Sequence, residues 1–375
     1  MQIIQNYLNK RGVTGPWKID PQPQKKFHQA VVIPAFGESE LLPDTLTSLN
    51  ENDVSIQTNT LVVVVVNNAE NSPDAILKNN QTTLKILSTK KYNFTLGVVD
   101  AASPKLELPT KQAGVGLARK IGMDLALPHL LSTESLIFCT DADTIVSKYY
   151  IEKVVMYFDK TRTQAAVVGF RHLESNNRKQ EEAIRQYEKY LLTTSEKMRD
   201  ASSPYGYVAM GSTMVCSVEA YCSVGGMPRK KATEDFYFLQ ELTKYCGVHT
   251  IPNILVHPSP RQTSRVYLGT GFRMAQTHQG LQIKSLYYSK HAFSLLQQWI
   301  TLGTTSWKMS LDELLKITES KNKELKNFLL KEGIKNIWKN LQSSSPSENH
   351  FTKQFHRWFD GFKTIRFLKY FSENV

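Results

Sequence analysis

Ser135-Leu136-Ile137-Phe138-Cys139-Thr140-Asp141-Ala142-Asp143-Thr144 is a short apolar run that stops on two carboxylates one residue apart. Alternate side chains of a strand share a face, so Asp-Ala-Asp at a strand end can turn both carboxylates toward one cation. Hard divalent ions such as Mg²⁺ or Mn²⁺ favour oxygen ligands and keep open positions that substrate phosphates fill. Paired aspartates also cap turns and helix starts, so the surroundings decide the reading.

Upstream, Gln29-Ala30-Val31-Val32-Ile33-Pro34-Ala35-Phe36-Gly37-Glu38 is a buried-strand pattern broken by Pro and Gly, followed by helical spacing of Leu41, Leu42, Leu46 and Leu49. Leu61-Val62-Val63-Val64-Val65-Val66 is a second apolar run, ending on Asn67 and Asn68. Each predicts a parallel strand buried on both faces, and in open α/β sheets ligands collect beyond the carboxyl ends of such strands. Three strand ends then point one way.

With these motifs the chain resembles the family 2 glycosyltransferases. Val31 to Glu38 looks like that family's opening strand and turn, and Gly116-Leu117-Ala118-Arg119-Lys120-Ile121-Gly122 like its Ala-Arg-Asn-x-Gly segment. Asp141-Ala142-Asp143 stands at the family's metal motif, and Thr233-Glu234-Asp235, preceded by Gly225-Gly226, looks like its Glu-Asp motif. The resemblance spans residues 29–270. It implies a GT-A fold, a Rossmann-like, mainly parallel α/β sheet flanked by helices. It also implies a nucleotide-sugar donor, UDP- or GDP-linked, bound by Pro34, Ala35, Phe36, Glu38, Asn67, Asn68 and the Asp141-Ala142-Asp143 turn, with Mn²⁺ or Mg²⁺ as cofactor. Family members commonly carry an acidic residue where Asn67 and Asn68 stand, and Asn where Lys120 stands. An amide can still accept from a uracil N–H. No Gln-x-x-Arg-Trp segment occurs, which disfavours a processive polysaccharide synthase.

Several single residues carry two readings. Arg119, on a helix expected over Gly116 to Leu127, can neutralise a departing diphosphate or be a solvated helix arginine. Asp235 suits a base that takes the proton of an acceptor hydroxyl in an inverting displacement, with Glu234 orienting the acceptor or fixing the loop; adjacent acids also start helices. His257, after another apolar run, can complete a metal site with Asp141 and Asp143 or be a hydrogen-bonded strand-end histidine. Arg261 and Arg265 beyond it are placed to meet donor phosphates or an anionic acceptor, or are surface arginines. In Tyr205 to Thr213, the resemblance implies that Gly211 and Ser212 approach the sugar and acceptor; a structural turn is the other reading.

The chain has 375 residues, 41% of them apolar, enough for a substantial core. The formal charge of +12 comes without a nucleic-acid-binding motif, so nucleic acid is not expected as a partner. Cys139, Cys216, Cys222 and Cys246 are too far apart for a Cys-x-x-Cys site and suggest reduced thiols and a cytoplasmic setting. No run approaches the ~20 apolar residues of a bilayer span, and residues 1–10 lack the apolar core of a signal peptide.

Three zones follow: an N-terminal arm over 1–28, a catalytic domain over 29–270, and a helical region over 271–375. Between Gln180 and Arg199, Ile184, Tyr187, Tyr190 and Leu191 predict an amphipathic helix. At the C-terminus, Phe351, Phe355, Trp358, Phe359, Phe362 and Ile365 recur at helical spacing among basic residues. Such a helix packs against its own domain or lies at the inner face of a membrane, the latter suiting a lipid-linked acceptor; the acceptor is read as lipid-linked or a glycan. The sequence is thus read as a hexosyltransferase-type enzyme. The rival readings are a nucleotide-sugar-binding module without turnover, and a sugar nucleotidyltransferase, which should show a Gly-rich basic loop in place of Pro34-Ala35-Phe36-Gly37-Glu38.

Overall fold

A computed structural model describes residues 2–262 and 269–373. In chain order the first elements are α1 (Gln2–Arg11), β1 (Gln29–Ala35), α2 (Leu42–Leu49), α3 (Val54–Gln57), β2 (Thr60–Asn67), α4 (Asp74–Thr89), β3 (Thr95–Ala101), α5 (Val115–Ala126), β4 (Leu136–Cys139) and β5 (Thr144–Val146). There follow α6 (Tyr150–Thr161), β6 (Ala165–Phe170), α7 (Arg178–Asp200), β7 (Met214–Ser217), α8 (Val218–Ser223), α9 (Glu234–Cys246), β8 (His249–Pro258) and α10 (Thr270–His278).

The strands form one sheet in the order β3-β2-β1-β4-β7-β6-β8-β5. β3, β2, β1 and β4 run parallel, with Ile33 opposite Val64 and Val31 opposite Phe138. β7 is antiparallel to both β4 and β6, while β8 runs parallel to β6. Every residue of β1 and β2 is buried, as strands covered on both faces require. α5 lies on this pair: a Cβ on Gly122 would stand 2.9 Å from Val65 Cγ2. Only a glycine lets the helix axis approach that closely.

The chain divides into two compact units, residues 1–188 with 209–281, and residues 189–208 with 282–375. This differs from the three-zone expectation in two ways. The segment 1–28 belongs to the sheet unit, because Ile4 and Tyr7 of α1 are buried. The helical unit begins at 282 rather than 271 and also takes residues 189–208, which the sequence reading places in the catalytic zone.

The second unit contains α11 (Lys290–Thr305), α12 (Leu311–Lys321), α13 (Lys323–Lys331), α14 (Ile334–Ser343), α15 (Glu348–Trp358) and α16 (Gly361–Glu373). Its core takes Phe351, Phe355 and Phe359 of the C-terminal aromatic stripe together with Phe367 and Phe371 beyond it, all at most 1% exposed. Trp299 meets Phe355 with ring centroids 5.5 Å apart, and Trp338 meets Phe351 at 5.5 Å. Phe362 is the stripe residue left outside, at 45% exposure. Among the described residues no helix is long and apolar enough to cross a membrane.

Candidate active site

The site lies at the carboxyl ends of β1 and β4, as in other open α/β sheets. β1 turns through Phe36 and Gly37, whose φ of 68° is left-handed, so that its amide donates to Asn80 Oδ1 at 2.9 Å. Glu38 then folds back, buried. β4 stops at Cys139 and β5 begins at Thr144, which makes residues 140–143 a turn between strands. Thr45 Oγ1 donates to the Ala142 carbonyl at 2.9 Å and the Ser259 amide to the Asp143 carbonyl at 3.1 Å. The turn is thus held by α2 on one side and by the chain leaving β8 on the other.

Each aspartate of the turn meets an arginine. Arg119, 2% exposed on α5, contacts Asp141 Oδ1 through Nη2 and Glu234 Oε1 through Nη1. Burial opposes its charge, but Asp141 and Glu234 outweigh that and raise its pKa. Arg261 Nε lies 2.8 Å from Asp143 Oδ2, and its Nη2 contacts Glu38 Oε1. Burial pushes the Asp143 carboxyl up to about 6, with Arg261 pulling against it.

Glu234 and Asp235 form the first turn of α9. Burial raises both carboxyls, and Arg119 opposes the rise in each. Asp235 Oδ1 accepts from the Phe236 amide at 2.7 Å. The preceding Thr233 has φ 64°, an outlier for a β-branched residue and the kind of strain found where a loop is held in one conformation. α5 fixes this loop, because a Cβ on Gly116 would stand 2.9 Å from Glu234 Cβ. The structure therefore gathers Asp141, Glu234 and Arg119 in direct contact, and Asp143, Glu38 and Arg261 in a second group.

Other candidate residues have structural partners of their own. Asn67 Nδ2 donates to the Ala35 and Val65 carbonyls at 3.0 and 3.1 Å. Asn68 Nδ2 donates to the Ala69 and Ala102 carbonyls, and its Oδ1 accepts from Asn80 at 2.7 Å. These amides tie strand ends together, a use that the strand-end position alone did not reveal. Gly211 makes room for the Arg119 guanidinium. The Ser212 and Thr140 hydroxyls are buried with no hydrogen-bond partner among the described residues. Arg265 lies outside the described residues.

His257 stands opposite Ile145 in the β5–β8 pairing, two residues along from Asp143. Its Nδ1 lies 3.0 Å from the Arg171 carbonyl; with Nδ1 protonated and donating there, Nε2 presents its lone pair. Among the described residues, no group of three or more His, Cys, Asp or Glu side chains is gathered for a metal. The two aspartates with His257 nearby are nonetheless the donor types a hard or borderline divalent cation takes.

Two buried clusters escaped the sequence reading. Lys120 Nζ pairs with Asp124 Oδ2 at 3.0 Å and contacts Tyr7 of α1. Asp124 also accepts from Tyr7 and Tyr221 hydroxyls at 2.7 Å and from the Val13 amide at 2.9 Å. In the other cluster, His172 Nδ1 lies 2.9 Å from Glu188 Oε1. Arg185 grips that carboxylate at 2.8 and 2.9 Å and donates to the His172 carbonyl at 3.0 Å. It thereby fixes the backbone beside the Arg171 carbonyl that His257 uses. Only the i, i+4 spacing of Lys120 and Asp124, and the i, i+3 spacing of Arg185 and Glu188, were visible signals.

The mixed sheet, with paired aspartates at a strand end and an acidic pair at a helix start, is the arrangement expected of a glycosyltransferase of the GT-A type. The family model for glycosyl transferase family 2 matches residues 30–218, half of the chain, and the chain belongs to that family. No curated protein matches the sequence. Among solved structures, it is similar to residues 1–349 of S. aureus TarS in complex with UDP-GlcNAc, at 14% identity and a TM-score of 0.47, covering 88% of this chain and 89% of that one. It is also similar to the mannosyltransferase PcManGT from Pyrobaculum calidifontis in complex with GDP-Man and Mn²⁺, at 15% identity and a TM-score of 0.42, covering 96% and 93%.

Proposed function

We infer that the protein transfers a sugar from a UDP- or GDP-linked donor to an acceptor hydroxyl by a metal-assisted, inverting displacement. The observation that carries this reading is Arg119, which joins the first aspartate of the Asp-Ala-Asp turn to the Glu234-Asp235 pair. The groups for leaving-group departure and for acceptor activation thus lie within reach of one another.

Asp143 and Asp141, with the Nε2 of His257, would hold Mn²⁺ or Mg²⁺. When bound, the ion supplies positive charge to the diphosphate leaving group. Arg261 meets the phosphates, and Pro34, Ala35 and Phe36 wall the donor at the end of β1. Asp235 accepts the acceptor's proton, which the burial-raised affinity of its carboxyl favours. Glu234, held by Arg119, keeps that helix turn in place.

Thermal shifts with UDP-, GDP-, ADP- and dTDP-sugars, with and without Mn²⁺, test the donor site. A ligand bound only by the folded state raises Tm. A metal-dependent shift for one nucleotide class, lost in Asp143→Ala, is expected; no shift with any donor would remove the substrate from this reading. Retention of anomeric configuration by NMR would sink the role given to Asp235.

A further inference from the structure

We propose that Arg261 is the counter-ion which the divalent metal displaces, and that its freed guanidinium then receives the donor diphosphate, so that metal and donor bind as a coupled pair. This rests on the metal reading of Asp143. One planar guanidinium spans two carboxylates from different strand ends, Nε to Asp143 Oδ2 at 2.8 Å and Nη2 to Glu38 Oε1. Those side chains are only 18% and 8% exposed. Oxygen lone pairs aimed at a guanidinium are not open to a second cation, and two cations at contact distance repel strongly where water is excluded.

The two arginines of the site differ in how they are held. Arg119 is fixed on a helix, with its side chain 3% exposed. Arg261 lies beyond the end of β8 in neither helix nor strand, with its side chain 31% exposed and its amide donating to Ser259 Oγ at 3.3 Å. The first is built to stay and the second to exchange. Once a metal occupies Asp143, a diphosphate is the natural partner of the released fork, whose two parallel N–H groups match phosphate oxygens.

The test measures Mn²⁺ binding without nucleotide, by the electron paramagnetic resonance signal of the free ion, for the wild type, Arg261→Gln and Arg261→Lys. Binding of UDP and GDP in saturating Mn²⁺ is measured in parallel by calorimetry. Arg261→Gln should bind Mn²⁺ alone about tenfold more tightly than the wild type and bind the nucleoside diphosphate more weakly. Arg261→Lys, whose ammonium cannot span both carboxylates, should fall between them for Mn²⁺, and keeps the test open if the first variant does not fold. Circular dichroism checks the folding of each. Mn²⁺ affinity at or below the wild-type value in both variants, with the wild type binding Mn²⁺ and nucleotide together, would overturn this inference and leave the metal reading intact. A wild type that takes up no Mn²⁺ even with UDP or GDP would defeat the metal reading, and this inference with it.

Discussion

Gly211 and Arg119 compete for one volume: a Cβ on Gly211 would lie within the Arg119 guanidinium. The glycine that looked placed for an acceptor is needed so that the arginine can reach two carboxylates. Gly211→Ala should displace Arg119, cost about 1–3 kcal/mol of stability, and lower kcat by roughly 100-fold through misplacement of the acidic groups. Steady-state kinetics beside a thermal melt would check both, and wild-type kcat in this variant would refute the packing argument.

Removing the arginine itself should be costlier to the fold. Arg119→Met leaves Asp141 and Glu234 facing each other without the cation, and breaking a buried ion pair on one side costs about 3–5 kcal/mol. Urea unfolding measures it. A loss below about 1 kcal/mol would mean that water or another cation already screens those carboxylates.

The Asp143 carboxyl, pushed by burial up to about 6, gives a pH dependence with a definite sign. Because the folded chain holds this proton more tightly than the unfolded one, the group favours folding below the ordinary aspartate range, and that contribution is lost as pH rises through about 6. Metal binding runs the other way, since the ion competes with the proton. Mn²⁺ affinity at pH 5 should be about tenfold weaker than at pH 7, and a flat profile would contradict Asp143 as ligand.

In the helical unit, burial separates two phenylalanines of one stripe. Phe355→Ala should cost about 3–5 kcal/mol, whereas Phe362→Ser should change stability by about 0.5 kcal/mol or less. Denaturant melts of the two variants decide it; equal costs would show that the stripe is not divided as described.

Asp124→Ala should loosen α1, because its carboxylate accepts from Tyr7, Tyr221 and Val13 and pairs with Lys120. The expected loss is about 3–5 kcal/mol, and trypsin cleavage after Arg11 should accelerate. Unchanged cleavage would mean that α1 is held by its apolar contacts alone.

What the sequence made legible was local. The valine run gave β2 because a strand buried on both faces needs no alternation, and the Asp-Ala-Asp turn stood out because the apolar segment stops so abruptly. Glu234 and Asp235 could be placed at a helix start, where acids oppose the macrodipole. Partners on other elements were not legible. Arg119 carries no mark that it serves Glu234 as well as Asp141, and Asn67 and Asn68 look like reading heads until Asn80 and the Ala35 carbonyl are seen beside them. The aromatic stripe from Phe351 was ambiguous for a similar reason. An interface helix and a core helix share one amphipathic pattern, and the surface that buries this one comes from Trp299, Phe328 and Trp338 upstream.

Arg119 and Lys120 are consecutive residues of α5 with different charges to answer: one grips the acidic groups of the site, the other, with Asp124 a turn later, clasps the phenol of Tyr7. The amino-terminal helix is therefore a poor handle for immobilisation or fusion. Traction applied to it passes along a chain of three side chains into the helix that aims the site's fixed guanidinium, so a bulky graft on that helix acts as a perturbation of the acidic groups that Arg119 grips without touching them.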